Sequence, residues 1–195
     1  MLFRSGDSTI ALDGITMTVR ERLQQRFGDG GHGFVLAARG FLPYRHHDVR
    51  HESEGAWDIE DITHLGLSDG HYGLGGAQSR AGGGATAWVE TDDEAPVGGS
   101  VARFDVLYET HPRGGRFGYR VDEGAWVEVD TRTDAIGDGV TRVPVPDGAH
   151  RLSLRAAGHG ETRLYGVVLE REGPGVVYDS LGMVGARASR MLGFD

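Results

Sequence analysis

The 195-residue sequence contains no cysteine. It can therefore form neither a disulfide nor a thiolate metal centre, a composition that suits the cytoplasm and also an exported protein that does without bridges. It has no apolar run near the ~18 residues of a membrane-spanning helix and no leader built from basic, apolar and small-residue parts, so the chain as it stands is expected neither to insert nor to export itself. "MLFRSGDS" opens abruptly on an apolar run, which leaves room for a leader ahead of Met1. Positive charge is scarce as well: 20 Lys and Arg stand against 29 Asp and Glu, a net charge of -9. A surface of that sign repels phosphate backbones and anionic lipid heads, and nucleic acid is not an expected partner.

What the chain does have is glycine, 33 residues of it, scattered through apolar and aromatic segments with no collagen-like period. This is the signature of turns between many short strands. With 38% hydrophobic residues the chain can bury a core. Residues 1–50 read as strand, turn and helix. "MLF" is followed by the turn chemistry of "RSGDST", and Ile15, Val19 and Leu23 recur every fourth residue as the expected buried face of a helix. Arg20, Glu21, Gln24 and Gln25 form its expected wet side, and Gly28, Gly30 and Gly31 stop it. A second apolar run, Phe34 to Leu36, precedes a proline-containing loop.

Residues 51–172 change texture. "VARFDVLYE", "GRFGYRVD", "WVEVDT", "TRVPVP", "HRLSLRAAG" and "TRLYGVVLERE" alternate apolar and polar positions between Gly, Asp, Pro and Thr clusters. That spacing predicts a β-sandwich or jelly roll, with a hairpin at "VDEGAW". Residues 173–195 return to the style of the opening, with an apolar run at "VVY" and a segment able to be helical from Ala186. The economical reading is an all-β sandwich inserted into an α/β domain whose two flanks meet in space.

The tetrapeptide around Ser8 carries the chemistry. Gly6, Asp7 and Ser8 follow an apolar run and precede a helix, which would present the serine hydroxyl at the carboxyl edge of a sheet. The bland reading is a loop with an Asx-type turn. "SGDST", "FGDGGHGFVLAARGFLPYRHHDVR" and "GVVYDSLGMVGARAS" together resemble the SGNH, or GDSL-type, hydrolases, and in particular esterases of this family that carry a β-sandwich insert and act on bacterial cell-surface polysaccharides.

The resemblance implies a partial flavodoxin-like α/β fold interrupted by the sandwich, with Ser8 as nucleophile and the amide of Gly185, in "YDSLGMVGARAS", as an oxyanion donor. It implies a serine esterase that removes O-acyl groups from a polysaccharide or glycan, needing no cofactor and no metal, in the cell envelope or outside the cell. Two family elements are missing. There is no asparagine to supply the side-chain oxyanion donor, and no Asp-x-x-His block follows Gly185. That spacing does occur at Asp48 and His51, at Asp61 and His64, and at Asp147 and His150, but all precede Gly185, the wrong chain order for the family, and none is assigned to a triad. The expectation is thus the N-terminal part of a longer hydrolase, or a shortened reading frame, with little activity by itself. The alternative is a non-catalytic carbohydrate-binding or structural β-sandwich.

Two further groups stand out. In "YRHHDVRH", His46, His47, His51, Asp48 and Glu52 are metal-ligand types, but their spacing fits a solvated loop better than a zinc site. Trp57, Trp88 and Trp126 could stack on sugars, although core packing is expected for at least two, and Trp126, next to the hairpin turn, is the expected exposed one.

Overall fold

A computed structural model describes residues 2–6, 8–38, 44–63 and 70–185. In chain order the elements are β1 (Leu2–Gly6), α1 (Ser8–Ala11), α2 (Gly14–Phe27), β2 (Gly33–Leu36), β3 (Val49–Glu54), β4 (Asp58–Asp61), β5 (Ala77–Ala81), β6 (Thr86–Thr91), β7 (Val101–Thr110), β8 (Arg116–Val121), β9 (Val127–Asp130), β10 (Gly137–Gly148), β11 (Arg151–Gly158), β12 (Thr162–Glu170) and β13 (Tyr178–Gly182). Among the described residues no helix is long and apolar enough to cross a membrane.

The alternating segments pair into two antiparallel sheets. One has the order β10-β7-β12-β5-β4, with β2 also on β12; the other runs β3-β6-β11-β8-β9. Period-2 patterning turns one side of each strand inward. Along β11, Leu152, Leu154 and Ala156 are buried while Arg151, Ser153 and Arg155 face out. Phe104, Val106, Leu164, Val167 and Leu169 of the first sheet meet Val89, Phe117, Leu152 and Leu154 of the second in one core, with Tyr108 and Phe117 edge to face at 5.0 Å. The hairpin at "VDEGAW" joins β8 to β9, with Tyr119 opposite Val127 and the Gly124 amide donating to the Val121 carbonyl at 2.9 Å.

This architecture corrects the flavodoxin-like reading. Among the described residues, β1 and β13 are the only named strands that pair parallel, in a two-stranded sheet, with three isolated parallel bridges elsewhere, and helix is confined to α1 and α2. The rest is antiparallel sandwich. The run Phe34 to Leu36, assigned to the α/β flank from sequence, instead pairs antiparallel with β12, Val35 opposite Val167. The physical reason is that a short continuous apolar run fits any fully buried strand, and periodicity cannot say which sheet will take it.

α2 forms where expected but is turned the other way. Its buried residues are Thr16, Arg20 and Gln24, while Ile15 and Phe27 are more than half exposed. Arg20 and Gln24, read as the wet side, find fixed partners inside: Gln24 Nε2 donates to the carbonyls of Gly31 at 2.7 Å and Val176 at 3.0 Å. Burial of a polar side chain is tolerated when its hydrogen bonds are made, so partners decided the face. The same bonds, with Phe34 N–H to Asp179 Oδ1 at 2.6 Å, hold the β1–β13 pair against the sandwich.

Candidate functional site

β1 and β13 run parallel from Leu2 opposite Tyr178 to Gly6 opposite Gly182, and the Met183 amide donates to the Gly6 carbonyl at 3.0 Å. Ser8 opens α1 just beyond the carboxyl end of β1 and is exposed; Gly185 lies just beyond the carboxyl end of β13 and is also exposed, with φ +81°. The two predicted site residues therefore leave neighbouring strands at the same sheet edge. Asp7 lies outside the described residues.

Close packing fixes α1 on that edge. A Cβ at Gly182 would collide with the backbone of Ile10 and Ala11, and one at Gly6 would come within 2.7 Å of Ile10 Cγ1. These two glycines let the helical turn sit directly on the strand ends. Side-chain bonds add to this: Ser180 Oγ donates to the Ile10 carbonyl at 2.9 Å, and Thr16 Oγ1 lies 3.1 Å from Ser180 Oγ.

Below the edge is a buried ionic hub that the sequence did not announce. Asp13, in the left-handed region at φ 55°, takes Arg20 on both carboxylate oxygens, at 3.2 and 2.8 Å, and the His47 amide at 2.8 Å. Thr16 Oγ1 also donates to it. Burial alone would raise the Asp13 pKa, but the Arg20 guanidinium, with the Thr16 hydroxyl, outweighs it and the value falls to about 2. His32 and His46 stack edge to face at 5.3 Å beside this hub. Burial, and then the Arg20 charge, lowers His32 to about 4 and holds His46 well below the ordinary range, so both are neutral at pH 7. The available signal was the four-residue spacing of Thr16, Arg20 and Gln24, a polar stripe as regular as the apolar one.

Of the Asp-x-x-His spacings, Asp147 and His150 are each engaged with other groups. Asp147 is held by Arg171 at 2.6 Å, and His150 turns its Nδ1 to Asp122 Oδ2 at 2.8 Å with its Nε2 on the Pro146 carbonyl. Asp61 Oδ1 accepts from Thr63, and His64 lies outside the described residues. Asp48 and His51 line a pocket together with His46, His47, Glu52 and Trp88. Among the described residues no three His, Asp or Glu side chains are grouped to hold a metal.

None of the three tryptophans is fully buried; Trp57 packs against the core, where the sequence predicts core packing for at least two. Trp57 donates Nε1–H to the Thr86 carbonyl at 2.9 Å and packs on the edge of the core. Trp126 has the guanidinium of Arg155 at 4.4 Å and of Arg120 at 5.1 Å from its ring, and Trp88 that of Arg151 at 4.0 Å. Trp126 is half-buried like the others.

No family model matches the sequence, and no curated protein matches it. Its fold is nonetheless shared with a solved enzyme. The chain is similar to a peptidoglycan O-acetylesterase, with a TM-score of 0.71 and 21% identity over 99% of this chain. It spans about half of that protein, 49% of its length. Looser likenesses are to a family two carbohydrate esterase from Cellvibrio japonicus, with a TM-score of 0.36 and 14% identity over 67% of this chain and 36% of that one, and to the C-terminal CBM6 of LamC from Zobellia galactanivorans, with a TM-score of 0.39 and 14% identity over 70% of this chain and 97% of that one.

Proposed function

We propose that this chain supplies the nucleophile and one oxyanion donor of a serine esterase that removes O-acyl groups from a polysaccharide or glycan. The observation that carries the reading is that Ser8 and Gly185 follow adjacent parallel strands at one sheet edge. The shared fold with an O-acetylesterase supports it.

In this reading Ser8 Oγ attacks the ester carbonyl carbon and gives its proton to a general base. The carbonyl oxygen becomes an oxyanion met by the amides of Ser8 and Gly185. Collapse breaks the bond to the sugar oxygen, which takes the proton back, and water then releases the acyl group from Ser8 by the same steps. The base is contributed from outside the described residues, since the His150–Asp122 contact lies on the sandwich with both imidazole nitrogens engaged. A side-chain amide donor from asparagine has no counterpart in this sequence.

The test is fluorophosphonate labelling and acetate release from an O-acetylated glycan by the polypeptide in its natural length. Labelling at Ser8, lost in Ser8→Ala together with acetate release, is the expected result. Acetate release that survives Ser8→Ala removes the reading. A second reading, a glycan-binding sandwich without catalysis, is favoured by the pocket beside Trp88; glycan binding with no labelling in that experiment would establish it.

A further inference from the structure

The segment from Tyr44 to Glu52 and Trp88 line an open hollow of about 480 Å³, within the range of roughly 300–1,000 Å³ common for small-molecule sites. We infer that it is a binding subsite for one sugar residue of a neutral glycan, with Trp88 as its apolar wall and Asp48 and Glu52 as its polar contacts. Four observations carry this.

First, the wall is rigid. Trp88 stands opposite Glu52 in the β3–β6 ladder, so both project from the outer face of the sheet. Arg151 lies over the Trp88 ring at 4.0 Å and is itself tied to Glu90 at 2.7 Å. One face of the indole is thus braced by Arg151, and Trp88 is among the residues that line the pocket. An aromatic ring held in place offers apolar area to the C–H face of a pyranose at little entropic cost.

Second, the wall carries polar groups that solvent reaches. Glu52 is exposed on β3 and Asp48 is half-buried just before it. A sugar hydroxyl can donate to carboxylates of this kind.

Third, the charge balances. Arg45 and Arg50 line the pocket together with Asp48 and Glu52, two charges of each sign. A balanced lining favours a neutral ligand over a phosphate or a uronate.

Fourth, the pocket adjoins the candidate catalytic edge. The Arg45 amide donates to the Ala11 carbonyl, at 3.3 Å, at the end of the single turn that Ser8 opens. That turn rises about 5 Å. A glycan seated on Trp88 can extend toward Ser8, a link that rests on the esterase reading; the binding itself does not.

The test is calorimetric titration of the folded chain with chitotriose, cellotriose and maltotriose, and with trigalacturonate as an anionic control. Saturable binding of at least one neutral trisaccharide is expected, weakened roughly tenfold in Trp88→Ala and unchanged in Trp126→Ala. Glu52→Ala, at an exposed side chain, is the second variant; its binding is expected to weaken, and it carries the test if Trp88→Ala fails to fold. No neutral binding, preferential binding of trigalacturonate, or neutral binding that the Trp88 and Glu52 substitutions leave unchanged would overturn the proposal. Binding without fluorophosphonate labelling of Ser8 keeps the subsite and removes the esterase. Labelling without binding does the reverse.

Discussion

Arg20 and Asp13 form a two-pronged ion pair, with nitrogen–oxygen distances of 3.2 and 2.8 Å and almost no solvent contact on either side chain. The pair joins α2 to the segment that begins the pocket, because Arg20 NH2 also donates to the His47 carbonyl at 3.2 Å. Much of the behaviour of the two-stranded edge follows from it.

Arg20→Ala leaves a buried carboxylate without its counter-charge and is expected to cost about 3–5 kcal/mol in urea denaturation. Arg20→Lys should recover only part of this, since an ammonium cannot meet both oxygens in the plane of a carboxylate. Full recovery by lysine would show that charge alone matters here.

Acid should weaken the fold in two stages. His32 has its folded pKa depressed to about 4 from 6.5, so the unfolded chain binds the proton first. Its contribution is fully present above about pH 6.5 and falls away toward pH 4, a loss on the order of 3 kcal/mol. Asp13, depressed to about 2 from 3.8, contributes above about pH 4 and loses its share as pH falls toward 2. Denaturation midpoints from pH 7 to 2 check both. His32→Leu should reduce the upper stage, leaving the share that His46 contributes, and leave the lower one unchanged.

Gly182→Ala places a Cβ against the backbone of Ile10 and Ala11. A cost of about 1–3 kcal/mol is expected, with faster amide exchange in α1 and a smaller effect on the sandwich strands. Exchange that accelerates uniformly across the chain would contradict this local account.

The reversed face of α2 can be tested directly. Ile15→Gln and Phe27→Gln sit on exposed positions and should each change stability by no more than about 0.5 kcal/mol. Leu154→Ala, fully buried between the sheets, should cost about 2–5 kcal/mol in the same assay. If Ile15→Gln proves as costly as Leu154→Ala, the helix is packed on its apolar stripe after all.

The sandwich strands were legible because alternation along segments such as Val101–Thr110 and Arg151–Gly158 is a local property: each strand needs one wet and one dry side. The turn chemistry of "VDEGAW" fixed a hairpin for the same reason. The place of Ser8 after a strand and before a helical turn was legible too, because turn residues and apolar runs act over a few positions. Phe34 to Leu36 was misplaced, since a run buried on both faces carries no periodicity that names its neighbours. Ile15, Val19 and Leu23 misled because apolar spacing was weighed without asking what a polar stripe would meet.

By itself, then, the chain determined its lack of covalent cross-links, its acidic balance, its many short strands and the polar turn that carries Ser8. Tertiary structure alone decided that β2 joins the sandwich, that Arg20 and Gln24 point inward, and that Trp88 stands over a pocket next to the edge where Ser8 emerges. Arg20 and Gln24 are each held by one partner seven positions away, Asp13 and the Gly31 carbonyl, and one much farther, the carbonyls of His47 and Val176. A charge or amide is buried only where distant groups complete its hydrogen bonds, and no local pattern records where those groups will be.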